Sequence, residues 1–384
     1  MQKCATKKWH KKKVCIFEFV KKVSILILMP RQKSSKNPDS QNVYIGLDVH
    51  LRQWNVCIYQ GGIARKPFQQ SPSASVLLAH LKAHYPEMNY YSAYEAGVCG
   101  CSVHYELLAA GIENIIFNAA DISQTHKERV RKTDAVDAAK IARSLAYGEL
   151  RCIHIPPKWR LDDRNLLRLR STLVSDMKRL KSRLRHYLHV NGITIPPEFQ
   201  PRRWPLAFIK WLKKTAIDNN NTTGSTLAMM VDKIENAVTE LKNIDKLLLA
   251  MMKEKRYKSD YQLLRSIPGV GAQTATTILL ECGDLADFGT ADAFCAFVGL
   301  IPDIYRSDEH DGKCGITRRH HRVLRYMFTE CAWRSIRKDP YLSGLYAGYC
   351  RRMPTTKAIV KIANKLARIT KFVLKNKKAY VQTE

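Results

Sequence analysis

The sequence predicts an α/β domain at the N-terminus, a helical coiled-coil middle and a mostly helical C-terminal part. Three observations carry this expectation. Short β-rich runs alternate with helical ones between residues 43 and 147, and apolar residues recur at helical spacing over much of the rest. Four acids also fall on the strands and the last helix of the first region.

Taken in order, residues 43–49, 54–59 and 63–68 read as strands, with Gly61 and Gly62 marking a hairpin turn between the last two. Residues 76–84 read as a helix, 90–94 as a strand, 102–110 as a helix and 114–118 as a short apolar strand. Residues 135–147 form an amphipathic helix. Periodicity alone supports the α/β class. The element order, taken together with the acids, is that of an RNase H-like domain over 43–160.

From Leu166 to Leu188 apolar residues recur every three or four positions, which predicts one long basic helix. A Pro- and Asn-rich segment follows. Leu227, Met230, Ile234, Ala237, Leu241, Ile244, Leu248 and Met251 then occupy the a and d positions of successive heptads. The pattern fits a partner helix in another subunit or in the same chain equally, so residues 161–258 are read as a helical coiled-coil region. Residues 259–384 read as a C-terminal domain opening on YQLLRSIPGVGAQTATTILLE. There Gly269 and Gly271 suit a tight helix–turn–helix able to offer backbone N–H groups to a phosphate, or a plain helical corner.

The chain has 384 residues, room for two or three domains, and its 45% hydrophobic content can build sizeable cores. Lys and Arg number 64 against 34 acids, a formal charge of +30. That excess points to a polyanionic partner, nucleic acid first. The eleven cysteines include no Cys-x-x-Cys pair, so a reducing cytoplasm is expected and a zinc site is not. Lys7, Lys8, Lys11, Lys12 and Lys13 precede an apolar stretch broken by Glu18, Lys21 and Lys22. Residues 1–42 are read as a disordered basic leader, with Met29 an alternative start, and no membrane partner is expected.

Asp48 lies within the first predicted strand and Glu95 closes the fourth. Asp134 and Asp137 stand three apart at the start of a helix and share a face. Taken singly, each acid has an ordinary reading as a strand-end, turn or N-cap residue. Gathered together, four carboxylates repel one another, and divalent cations relieve that repulsion; hard oxygen ligands favour Mg2+, with Mn2+ as the alternative. Lys127, Arg129, Arg131 and Lys132 lead directly to Asp134 and suit a phosphate-guiding loop. Near the C-terminus Ser307 lies in a polar loop, followed by Arg318, Arg319, Arg322 and Arg325, which suit phosphate binding. On residue chemistry alone Ser307 is one serine among many.

Together YIGLDVH, YEAG, KTDAVDA, SIPGVGAQTA and AFVGLIPDIYRS resemble the insertion sequence 110 family of transposases, which includes the Piv-type DNA invertases. The resemblance runs from about residue 43 to 374. It implies a RuvC-like domain of RNase H fold whose Asp-Glu-Asp-Asp tetrad matches Asp48, Glu95, Asp134 and Asp137. It also implies a coiled-coil connection and a C-terminal transposase domain whose serine nucleophile matches Ser307. The resemblance further implies that this serine forms a covalent phosphoserine intermediate with DNA. Members are similar in acting as oligomers, dimers or tetramers, with a composite site, and some are guided by a structured non-coding RNA. Two positions depart from the family pattern: Asp308 follows the serine where glycine is common, and Thr317, Arg318 and Arg319 lead to His320 where a glycine is usual.

The expected function is therefore DNA strand exchange through metal-assisted serine attack, in the nucleoid-associated cytoplasm. A hydrolytic RuvC-like endonuclease would need the tetrad but not Ser307. A non-catalytic nucleic-acid-binding protein would need neither. Target sequence, guide RNA use, and the choice among insertion, excision and inversion are not written in the residues.

Overall fold

Apolar residues alternating through β1 (Asn42–Val49) and β2 (Trp54–Gln60) build an antiparallel pair at the centre of a mixed sheet. The structure, a computed structural model, describes residues 41–118, 134–199, 204–303, 306–307, 310–311 and 315–382. Of the sequence expectations, residues 1–40 of the leader, the loop of Lys127, Arg129, Arg131 and Lys132, and Asp308 lie outside these residues, while Asn42, read as the end of the leader, opens β1. The chain divides into two compact units, residues 1–155 and 156–384.

In the first unit the sheet order is β3-β2-β1-β5-β6, with β3 (Ile63–Ala64) and β4 (Phe68–Gln70) both pairing with β2. β5 (Asn89–Glu95) runs parallel to β1, and β6 (Glu113–Phe117) runs parallel to β5. Successive side chains alternate between the two faces. On one face Val43, Ile45 and Leu47 join Leu77 and Leu81 of α1 (Ala74–His84) and Leu107 of α2 (Ser102–Ala109). On the other face Ala138 and Ala142 of α3 (Asp134–Ala146) pack on Cys57 and Tyr59, and Ile141 packs on Ala93 and Phe117. This is the mixed α/β layout expected for the N-terminal region. The single third strand expected over 63–68 is instead two short pieces. Pro67 has no N–H to give to the ladder, which interrupts it.

The second unit takes in both the helical region and the C-terminal region. α4 (Lys158–Val190) begins earlier than its apolar repeat suggested, and α5 (Leu206–Asp218) occupies part of the segment read only as Pro- and Asn-rich. Pro205 and Asn219 flank α5, so its thirteen residues are bounded by the residue types that otherwise signal loop. α6 (Thr222–Met251) buries Leu227, Ile234 and Ala237 of the heptad seam with Met177, Leu184 and Leu188 of α4 and with Phe208 and Leu212 of α5. The intrachain partner that the pattern allows is thus present.

The remaining helices are α7 (Lys255–Arg265), α8 (Ala272–Cys282), α9 (Ala291–Val298), α10 (Arg322–Ser335), α11 (Pro340–Cys350) and α12 (Thr355–Asn376). They enclose a core around Ile278, Leu280, Phe294, Phe328, Ile362 and Leu366, which the base of α4 and α6 enters through Leu167, Ile244 and Leu248. Among the described residues no helix is long and apolar enough to cross a membrane.

Candidate active site

The register of β1 on β5 pairs Leu47 with Tyr94, so Asp48 and Glu95 occupy corresponding positions at the ends of neighbouring parallel strands. Leu47 and Tyr94 both face the core under α1 and α2. Asp48 and Glu95, one residue on, therefore turn to the opposite face, which α3 covers. α3 reaches that face at Gly46, where a β-carbon would stand 2.0 Å from the Ala138 carbonyl oxygen and 2.4 Å from the Ala142 nitrogen. Asp137 precedes Ala138 directly, and Asp134 opens the same helix; the Asp134 side chain lies outside the described atoms.

Asp48 and Asp137 are half-buried and Glu95 is exposed. His50 Nε2 stands 3.1 Å from Asp48 Oδ2. The loop after Glu95 is pinned by the buried Tyr94 hydroxyl, which donates to the Gly100 carbonyl at 2.8 Å and accepts the His104 N–H at 3.2 Å. Burial pushes the Tyr94 phenol well above its ordinary value, so it remains a donor. Among the described residues no three His, Cys, Asp or Glu side chains already stand together as a ligand set. The backbone nevertheless brings Asp48 and Glu95 to one face of one sheet, and lays the helix that carries Asp134 and Asp137 over that face. A hard-oxygen set of this kind fits Mg2+ or Mn2+.

Ser307 belongs to a short β-hairpin rather than an irregular loop. β7 (Arg306–Ser307) pairs with β8 (His310–Asp311), Ser307 opposite His310. The hairpin grows from a ladder in which Asp303 N–H donates to Gly315 O at 2.8 Å and Thr317 N–H to Ile301 O at 3.0 Å. This ladder links the end of α9 to the start of α10. Side chains of residues 304–314 lie outside the described atoms.

Of the four arginines after the hairpin, Arg318, Arg319 and Arg322 are exposed. Arg325 is turned inward, its Nη2 donating to Thr317 O at 2.5 Å, and burial lowers its pKa. Gly299 makes this fit: a β-carbon there would stand 2.5 Å from Arg325 Nη2 and 2.1 Å from His320 Cβ. Gly269 (φ +83°) presses onto α10, where a β-carbon would stand 2.3 Å from Ser335 Oγ, and Gly271 precedes the first turn of α8.

A charge cluster around the buried Glu281 holds the start of α10. Glu281 of α8, its side chain 9% exposed, faces Arg164 Nε and Arg168 Nε of α4, each at 3.4 Å, and His321 Nε2 at 3.5 Å. His321 Nδ1 accepts the Leu324 N–H at 3.3 Å and so caps α10. Burial pushes the Glu281 carboxyl up, but the His321 hydrogen bond and the two arginines outweigh it and hold the pKa below its ordinary value. Such a group contributes stability above the unfolded carboxylate pKa, about 4.3, and loses it as pH falls through the lower folded value. Glu281→Gln leaves the largely buried Arg164 without its counter-charge, an expected loss of about 3 kcal/mol near neutral pH. Denaturant melts from pH 3 to 7 should show that loss shrinking toward acid; a constant difference would exclude the electrostatic account.

Two family models match the chain. One, described as a DEDD transposase, covers residues 45–191, and the other, described as the transposase IS116/IS110/IS902 family, covers residues 261–347. The chain belongs to the IS110 family of transposases. The first match takes in Asp48, Glu95, Asp134 and Asp137, and the second takes in the hairpin of Ser307. A transposase for insertion sequence element IS1111A from Coxiella burnetii is 24% identical over 93% of this chain and 95% of its own length. A putative transposase of Sinorhizobium fredii, y4qE, is 25% identical over 63% of this chain. That match spans 58% of the Sinorhizobium protein's length. A transposase for insertion sequence element IS1328 from Yersinia enterocolitica is 32% identical over 28% of this chain and 34% of its own length. As an IS110 family transposase with a DEDD domain, the chain is a DNA-acting protein, and the domain's four acids point to a divalent ion.

The sequence reading passed over His50 and the Glu281 cluster. His50 stood in the YIGLDVH motif two residues from Asp48, just past the end of β1 and within reach of its carboxylate. Glu281 and His321 are forty positions apart, and no local pattern joins them.

Proposed function

We propose that this IS110 family transposase cleaves and rejoins DNA strands through a serine–phosphate ester. Asp48, Glu95, Asp134 and Asp137 would hold Mg2+ or Mn2+, which when bound supplies positive charge to the phosphate and its leaving oxygen. The Ser307 hydroxyl oxygen attacks the scissile phosphorus. An O–P bond forms, the P–O3′ bond breaks, and the freed 3′-oxygen takes up the proton that the serine hydroxyl releases. The ester keeps the energy of the broken phosphodiester, so a second 3′-hydroxyl can attack it without ATP, restoring the serine. Arg318, Arg319 and Arg322 are free to meet phosphates, as are Lys127, Arg129, Arg131 and Lys132 by their sequence position. Arg325 and Gly269 hold backbone geometry, and Gly271, at the N-terminus of α8, offers backbone to a phosphate. The family resemblance adds a place on the nucleoid, a homo-oligomer whose site combines two subunits and, for some members, a structured non-coding RNA as guide.

The observation that carries this reading is the placement of Asp48 and Glu95 side by side on the sheet face that α3 covers. It is tested with DNA carrying the ends of the element that encodes the chain. A detergent-stable protein–DNA adduct should form in Mg2+ and vanish in EDTA. Cleavage that leaves free 5′-phosphate ends and no adduct would mean hydrolysis in place of serine transfer. Adduct formation unchanged by EDTA would remove the role assigned to the acids.

A further inference from the structure

Beside the carboxylates lies a buried amide whose nitrogen has no partner. Asn55 of β2 stands directly opposite Asp48 of β1 in the antiparallel register. Cross-strand partners share a face, so Asn55 is on the α3 side of the sheet with Asp48. It is 3% exposed, and its Nδ2 has no hydrogen-bond acceptor among the described residues. The positions before and after it on the strand, Trp54 and Val56, are apolar and fully buried on the other face. Asparagine is disfavoured in strands, and an unsatisfied buried donor lowers stability. A valine or leucine at this position would fold better.

We propose that Asn55 is a positioning residue of the metal centre. Its Nδ2 donates to the Asp48 carboxylate when the acids are drawn round a divalent ion, and so selects which carboxylate oxygen faces the ion. Directly opposed side chains start about 5 Å apart at Cβ, within reach of an amide-to-carboxylate hydrogen bond. In this structure His50 holds one Asp48 oxygen from along the strand. Asn55 supplies a second donor from across the ladder. Hydrogen bonds to a ligating carboxylate of this kind orient it and raise affinity for the metal. The inference rests on Asp48 being a metal ligand.

The test uses the full chain without DNA, with Mn2+ as the titrant in calorimetry and melting temperatures recorded in EDTA. Asn55→Leu and Asn55→Val remove the donor and leave an apolar side chain. Both should bind Mn2+ about 10–100-fold more weakly while melting in EDTA at or above the wild-type temperature. Mn2+ affinity within twofold of wild type in both variants, with Asp48→Asn still losing the ion, would overturn the role of Asn55 alone. Unchanged Mn2+ binding in Asp48→Asn would overturn the metal site, and the role of Asn55 with it. A fall in EDTA melting temperature in both Asn55 variants would mark Asn55 as a packing residue and overturn the proposal.

Discussion

Ser307→Ala and Asp48→Asn proteins, each assayed alone, are expected to form no detectable covalent adduct with DNA, while an equimolar mixture recovers about a quarter of the wild-type yield. Removing the serine oxygen deletes the nucleophile. Removing the charge of Asp48 deletes one electrostatic contact to the metal, a loss of roughly 10²–10³-fold by analogy with other charge-stabilising groups. The two residues lie in separate compact units of the chain. A dimer can therefore draw the acids from one subunit and the serine from the other. Half the dimers in a randomised mixture are mixed, and in each of these one site has intact acids facing an intact serine while the other has neither. Co-expression ensures exchange, and denaturing gels read the adduct. A mixture as inactive as its components would place both parts of each site in one subunit. Adduct at normal yield from Ser307→Ala alone would remove Ser307 from the chemistry.

Much of the first unit could be read before folding because its strands are short, β-rich and bounded by turn residues. Once β1 and β5 are paired, parity alone puts Asp48 and Glu95 on one face. Pairing is the step a linear pattern does not supply, and for that reason Asn55 was passed over. It is unremarkable in QWNVCI and becomes informative only when the register sets it opposite Asp48. The third strand was read as one because Ile63 and Phe68 bracket it, whereas Pro67 between them cannot supply a ladder hydrogen bond. α5 escaped notice because Pro and Asn flank it closely, and they signalled loop more strongly than Phe208, Leu212 and Ala216 signalled a helix. In the second unit the heptad seam was visible, but a seam names no partner. Packing supplied α4 and α5. Arg325 shows the same limit from the other side. Its place in a basic run suggested phosphate, and only the close approach at Gly299 shows its guanidinium held on Thr317.

Gly46→Ala should be nearly as damaging as loss of an acid, although residue 46 has no chemistry of its own. A methyl at Gly46 would sit 2.0 Å from the Ala138 carbonyl oxygen and 2.4 Å from the Ala142 nitrogen, both helix backbone with no rotamer to yield. α3 must lift from the sheet by an ångström or more, or the strand must buckle. Overpacking of this sort costs about 3 kcal/mol. For the first unit, that lowers its melting transition by roughly 6–12 °C on the scale expected for domains of this size. The helix that would lift is the one carrying Asp134 and Asp137, so the ligand set would open with it. A misplacement near 1 Å is enough for about a 100-fold loss of rate. Adduct formation measured well below the new transition should therefore stay about 100-fold down in protein that is still folded by circular dichroism. Full activity in folded Gly46→Ala would show that the acids do not depend on the contact of α3 with β1, and would dissolve the link between the sheet register and the metal centre.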